Sequence, residues 1–291
     1  MQTSLDCVPC FLRQALEAAR FMTDDPAVHE QILRQVLRSS ADMDLRQSPP
    51  VMARTFYNWL SELAGVEDVY GPAKDRFNQL ALELAPELRK KIREAPDPLI
   101  AAVRSAIAGN VIDFGINGGI TEADLHLAMS QALSEPLAGD VEQFREALGR
   151  AESILYLADN AGEIVFDRLL IEHLPVAKVV VGVRGRPIIN DATRSDAHAA
   201  GLDEIVRVID NGSAVPGTAL DLCSEDFRDQ FSRSDLIIAK GQGNFETLSD
   251  VAAPIFFLFK VKCSVIASHV GLPLGSHVLL QSRASQPRTL R

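Results

Sequence analysis

Three polar clusters in the second half of the chain each follow a run of apolar residues: Asp159-Asn160-Ala161-Gly162-Glu163, Asn190-Asp191-Ala192-Thr193 and Lys240-Gly241-Gln242-Gly243-Asn244-Phe245-Glu246. Carboxylate and amide oxygens are the ligands of hard divalent cations, and glycine-rich turns let backbone N–H groups face an anion. In a parallel α/β sheet the strand carboxyl ends share one edge, so the three clusters can converge on one crevice. The chemistry expected there involves a metal ion and a phosphate.

Each cluster also has an ordinary structural reading. Asp159 and Asn160 place two side-chain oxygens before a tight Ala161-Gly162 turn and a helix starting near Glu163, and an Asp-Asn turn serves as well for capping alone. Asp191 is either a helix cap or a third oxygen ligand beside Asp159 and Asn160, with Thr193 able to cap the next helix. Arg184 and Arg186 read as solvated loop residues or as phosphate contacts at the rim. Gly241 and Gly243 do not complete a dinucleotide fingerprint, because Glu246 stands where the third glycine would be; alone, the cluster is a connecting loop. Lys260 and Lys262 lie two apart and, on a strand, would share a face, with one amine for phosphate and the other for solvent.

Two further motifs lie outside these clusters. Gly109-Asn110-Val111-Ile112-Asp113-Phe114-Gly115 ends a helical segment, where Asn110 serves as a C-cap or, with Asp113, faces the crevice from the helical half. Cys7-Val8-Pro9-Cys10 has the spacing of half a zinc site or of a dithiol pair. Its second half is missing, since Cys223 and Cys263 are single and distant, and buried or capping thiols are the leading reading. None of the six histidines is given a catalytic role.

The elements that position these residues follow from hydrophobic period. From Cys10 to Gly149 apolar residues recur three and four apart, which predicts six or seven helices and no strand, with Asp24-Asp25-Pro26 and Ser48-Pro49-Pro50 opening two of them. After Arg150 the runs 154–157, 179–183, 205–209 and 236–239 read as short buried strands alternating with helices, and 256–259 and 278–280 as further strands. That alternation predicts a parallel sheet with right-handed crossovers. Residues 282–291 read as a polar tail.

The chain of 291 residues is long enough for two unequal parts, and a net charge of -10 argues against nucleic acid or an anionic membrane as partner. A small anion then needs a local positive source. The amino terminus lacks a basic segment leading into an apolar one and no run approaches the ~18 apolar residues of a membrane span. With four unevenly spread cysteines, a cytoplasmic, reducing location is expected.

Taken in order, Cys7-Val8-Pro9-Cys10, Gly109 to Asp113, Asp159 to Glu163, Arg184 to Thr193, Lys240 to Glu246 and Lys262-Cys263 resemble the damage-control phosphatase family, in particular its prokaryotic branch with an amino-terminal Cys-x-x-Cys. The resemblance spans nearly the whole chain. It implies an α/β fold, with a helical domain (residues 1–149) packed on a three-layer α/β/α Rossmann-like domain (residues 150–291) whose sheet is mostly parallel. It also implies metal-dependent hydrolysis of phosphate monoesters of small metabolites, sugar phosphates or damaged phosphometabolites, with manganese, cobalt, nickel or magnesium.

By position, Asp159, Asn160 and Asp191 match the metal ligands, Gly241, Gln242, Gly243, Asn244 and Phe245 a substrate-binding segment, and Lys262 a substrate-binding lysine that other branches replace. Asn110, Asp113 and Glu163 complete the expected substrate environment. Whether water or Asp159 attacks phosphorus is left open. Two alternatives remain: a carboxyl methyltransferase using S-adenosylmethionine, which gives three oxygen ligands and a lysine no role, and a non-catalytic metal or redox module on Cys7 and Cys10.

Overall fold

The computed structural model describes residues 1–109, 127, 129 and 131–282. Asn110 and Asp113 lie outside the described residues. Five helices come first: α1 (Cys7–Met22), α2 (Pro26–Ala41), α3 (Pro49–Ala64), α4 (Gly71–Glu94) and α5 (Pro98–Ala108). Then follow β1 (Leu137–Gly139), α6 (Val141–Arg150), β2 (Ile154–Leu157), α7 (Glu163–Ile171), β3 (Val179–Val183), α8 (Arg194–Ala199) and β4 (Arg207–Asp210). The chain continues with α9 (Glu225–Arg233), β5 (Leu236–Lys240), α10 (Gly241–Leu248), β6 (Ile255–Lys260), α11 (Ser264–Val270) and β7 (His277–Gln281).

The predicted openings of α2 and α3 are present: Asp25 accepts the Ala27 N–H ahead of Pro26, and Ser48 precedes Pro49. One expectation fails. A strand does occur before residue 150, because the three-residue β1 pairs with β7; so short a piece carries no alternation for a periodicity argument to detect.

The sheet order is β1-β7-β6-β5-β2-β3-β4, parallel throughout except where β7 runs against β6. Its central strands are apolar on both faces because helices cover both. Ile154 and Tyr156 face α4, α5 and α7 through Leu88, Ile107 and Phe166. The alternate residues Leu155 and Leu157 face Phe227 and Phe231 of α9 and Phe245 of α10. This is the expected three-layer α/β arrangement. For the proposed division into residues 1–149 and 150–291, packing adds detail. Helices α1–α3 close a core of their own around Phe11, Phe56 and Leu60, whereas α4 and α5 share the core of the sheet.

The strand order reverses between β2 and β5. From β2 the chain moves outward through β3 and β4; from β5 it moves the other way through β6 and β7. Chains diverging from adjacent strand ends leave a crevice at such a switch point. No described helix is long and apolar enough to cross a membrane.

A buried polar seam fastens α4 to this edge. The Lys74 ammonium lies 2.9 Å from Asp196 and 3.2 Å from Asp68. Asp196 is also the third residue of the Thr193 capping box of α8, and it accepts the Asn78 amide at 2.9 Å. The Asn78 oxygen in turn accepts the Gly162 N–H at 2.7 Å, just after β2. Lys74→Met would leave a buried carboxylate short of its cation, a loss worth about 3 kcal/mol. Urea unfolding should show that drop, and an unchanged midpoint would mean that the seam adds nothing.

Candidate functional site

Two backbone hydrogen bonds assemble the site. The Ala192 N–H donates to the Asp159 carbonyl at 2.8 Å and the Ala161 N–H to the Asn190 carbonyl at 2.8 Å. Asn160 and Asp191 thus pair as an isolated antiparallel bridge, so the exit of β2 and the loop after β3 lie side by side. Asp159, Asn160 and Asp191 are all buried there. The loop bearing Asp191 is tight, with the Asp191 N–H donating to the Ile188 carbonyl at 3.0 Å. Ile189 has φ +46°, a conformation that costs a β-branched residue about 1–3 kcal/mol. Ile188 and Ile189 pack into the core of α1–α3, which holds this turn against its strain.

Charge is dense around these residues. The Asn160 amide nitrogen donates to Asp159 Oδ2 at 3.0 Å and to Glu163 Oε2 at 3.1 Å, bonds that do not engage its oxygen. Arg184 Nε donates to Asp191 Oδ2 at 2.6 Å, and the Gly217 N–H reaches the same oxygen at 3.3 Å. Burial raises the Asp159 pKa well above the usual carboxylate range; the charges of Glu163 and Asp191 add to the rise, while Lys262 and Arg184 oppose it. Lys262 is therefore within electrostatic reach of Asp159.

Beneath the crevice lies a fully enclosed ion cluster. Lys240 Nζ donates to Asp167 Oδ1 at 2.6 Å, Glu163 Oε1 at 2.7 Å and the Ala106 carbonyl at 2.8 Å. The Tyr156 hydroxyl donates to Asp167 Oδ1 at 2.8 Å. Burial pushes the Asp167 pKa up to about 6 against the pull of Lys240, and the two carboxylates hold Lys240 above the usual lysine range despite its burial.

The Gly-x-Gly cluster forms the first turn of α10 and not a loop. Gly241 has φ +77°, and a Cβ there would lie 1.8 Å from Asp159 Oδ2. Glycine is required for this approach. Asn244 donates to the carbonyls of Lys240 at 2.7 Å and Ala158 at 3.2 Å and accepts from Thr218 Oγ1 at 2.7 Å. Its side chain braces β5 against β2 under the site. Gln242 donates to Glu246 Oε1 at 2.8 Å and accepts the Lys262 N–H at 3.1 Å, which fixes the segment after β6.

Several expectations need correction. Arg184 is neither solvated nor at the rim, being 2% exposed, whereas Arg186 is exposed. Lys262 lies beyond the end of β6 at Lys260, so the shared-face argument for the two lysines does not apply. Cys263 is distant from the Cys7-Cys10 pair in sequence only: Cys7, in the first turn of α1, has its pKa raised by burial and also by the nearby Glu246, Cys263 and Cys10.

Arg184, Lys240, Asn78 and Gly217 escaped the sequence reading as parts of this framework. Asp210-Asn211-Gly212, at the exit of β4, carried a usable signal. Asn211 Oδ1 accepts the Gly185 N–H at 3.0 Å and the Ser213 N–H at 2.9 Å, joining β4 to the loop that follows Arg184. Among the described residues no three His, Cys, Asp or Glu side chains form a ready metal cage. The donors that come together are two carboxylates and an amide oxygen, a set suited to a hard divalent cation.

A family model described as the damage-control phosphatase ARMT1-like domain matches residues 3–278. An uncharacterized protein of Methanocaldococcus jannaschii is 34% identical, over 95% of this chain and 94% of its own. A protein of Pyrococcus horikoshii named as a damage-control phosphatase is 32% identical over 97% and 99%, and another of Archaeoglobus fulgidus 33% identical over 96% and 98%. The crystal structure of a DUF89 family protein from Pyrococcus horikoshii matches at TM-score 0.88 and 32% identity, covering 97% of this chain and 100% of that one. These matches bear out the resemblance carried by the motifs.

Two outcomes test the geometry. Gly241→Ala should destabilise by about 1–3 kcal/mol through a strained φ and collision with Asp159. Gly243→Ala, whose Cβ would meet nothing closer than 3.4 Å, should melt near the parent, and equal melting of both variants would refute the packing argument. Burial raises the Glu246 pKa from 4.5 to about 7. An acid raised on folding contributes stability that is fully present below its unfolded value and lost as pH rises through its folded value. Glu246→Gln should therefore stabilise at pH 8 by no more than about 3 kcal/mol, with a gain that fades towards pH 5; a gain independent of pH would contradict the assignment.

Proposed function

Because the chain belongs to the damage-control phosphatase ARMT1-like family, we propose that it is a metal-dependent phosphatase hydrolysing phosphate monoesters of small metabolites, sugar phosphates or damaged phosphometabolites. The observation that carries this reading is the Asn160–Asp191 bridge, which gathers two carboxylates and an amide at the switch point of the sheet. In this proposal Asp159, Asn160 and Asp191 hold a divalent cation, manganese, cobalt, nickel or magnesium. When bound, such an ion supplies Lewis-acid stabilisation of charge on the phosphoryl oxygens.

The chain's own groups supply the rest. Lys262 offsets the charge of the phosphoryl oxygens, and the amino end of α10 presents backbone N–H groups to them. Gly241 allows Asp159 and the helix end to share one small volume. Gln242 positions the Lys262 backbone, while Asn244 and Glu163 act beneath, on the framework. The attacking group is water, or Asp159 itself through a phospho-aspartate. The proposed partner is a small phosphorylated metabolite and the proposed site of action the cytoplasm; because the chain carries a net charge of -10, the positive source for that anion has to be local. Methyl transfer to a carboxyl group would leave the paired carboxylates and Lys262 without work.

The test is phosphate release from a panel of sugar phosphates, with chelator and then with each of the four metals, for the parent and Asp159→Ala. Turnover should require metal and fall by about a thousandfold or more in the variant. Folded parent protein with no turnover under any metal would overturn the proposal.

A further inference from the structure

Arg184 has more donor capacity than its protein contacts use. Its side chain is 2% exposed, yet Nη2 has no hydrogen-bond partner among the described residues. Asp159 Oδ1 lies 3.9 Å from Nη2, beyond hydrogen-bonding distance. A guanidinium does not shed its proton to escape such a position. A buried charged donor without an acceptor is unfavourable, and native structures seldom keep one without a reason.

The direction of this donor is fixed at both ends. Nε is held by Asp191 at 2.6 Å. The Arg184 N–H donates to the Ala192 carbonyl at 2.9 Å, and the residue pairs with Thr193 in a parallel bridge. Behind it, Gly185 packs so closely that a Cβ would lie 2.5 Å from Gly212 Cα. The backbone there is fixed against β4, and Nη2 lies on the Asp159 side of the site.

We propose that Arg184 is a phosphate-binding residue whose Nη2 donates to an oxygen of the phosphoryl group; this deepens, and rests on, the phosphatase reading above. A tetrahedral phosphoryl group held beside Asp159 and Asp191, where those residues would hold a cation, would still have oxygens free to meet other donors. The guanidinium fork, anchored through one N–H and open at another, suits that acceptor. Bracing of Asp191 accounts for Nε alone and leaves Nη2 unexplained.

The experiment uses the full chain and inorganic phosphate as the probe. Calorimetry would measure manganese binding alone and then phosphate binding at saturating manganese, for the parent, Arg184→Lys and Arg184→Gln, with thermal melts to establish folding. Phosphate affinity should fall about tenfold or more in both variants while manganese affinity stays within about threefold. Unchanged phosphate affinity would overturn the proposal, and so would a parallel loss of manganese, which marks Arg184 as a positioning residue for Asp191.

Should neither variant fold, side-chain NMR of arginine-labelled parent with magnesium decides the matter. Phosphate should shift a buried guanidinium signal, and no shift would refute the contact. Ester turnover by the parent separates the two readings. Phosphate binding through Arg184 without turnover would sink the phosphatase and keep the contact; turnover with full phosphate affinity in Arg184→Lys would do the reverse.

Discussion

The ammonium of Lys240 sits in a space closed to water and joins β5 to two helices at once: to α7 through Glu163 and Asp167, and to the carboxyl end of α5 through Ala106. Burying one cation with two carboxylates succeeds only when nearly every hydrogen bond is made, and removal of a partner leaves an uncompensated charge. The arrangement therefore dictates how β5, β2 and α7 meet. Glu163 passes the constraint upward, because its second oxygen takes the Asn160 amide that also contacts Asp159. The orientation of the crevice residues is thus set from below by electrostatics, before any ligand is considered.

A second constraint comes from the side. The turn carrying Asp191 includes a left-handed isoleucine, held there because Ile188 and Ile189 belong to the core of α1–α3. The helical part of the protein thereby governs the placement of a carboxylate that belongs, by sequence, to the sheet. The Asn78 contact to Gly162 plays the matching part for the β2 turn. Both sides of the Asn160–Asp191 bridge are consequently gripped by helices from the first third of the chain.

These features share a physical theme. The crevice concentrates buried carboxylates, with burial and the charges of Glu163 and Asp191 raising the pKa of Asp159, and it leaves an arginine donor unspent. A fold selected only for stability would replace such groups with apolar ones. Their survival beside a strained backbone is what a site that exchanges part of its stability for ligand chemistry requires.

What the sequence determined by itself was local and periodic. Continuous apolar runs marked β2, β3, β5 and β6, because strands covered on both faces need no polar alternation, and the proline and aspartate signals marked the starts of α2 and α3. Asp159, Asn160 and Asp191 were legible because short polar clusters after such runs must lie on one edge of a parallel sheet. Tertiary structure alone decided the rest. Lys240 and Arg184 carry the same charge as any surface residue, and only the packing of helices over both sheet faces shuts them away from water. Whether Gly241 begins a helix or a loop depended on the proximity of Asp159, 82 positions earlier in the sequence. Three-residue β1 took its identity from β7, and Cys263 came within electrostatic reach of Cys7 across most of the chain. Contacts of that range leave no periodic trace, since they arise from where the backbone brings residues together and not from what stands next to them in the chain.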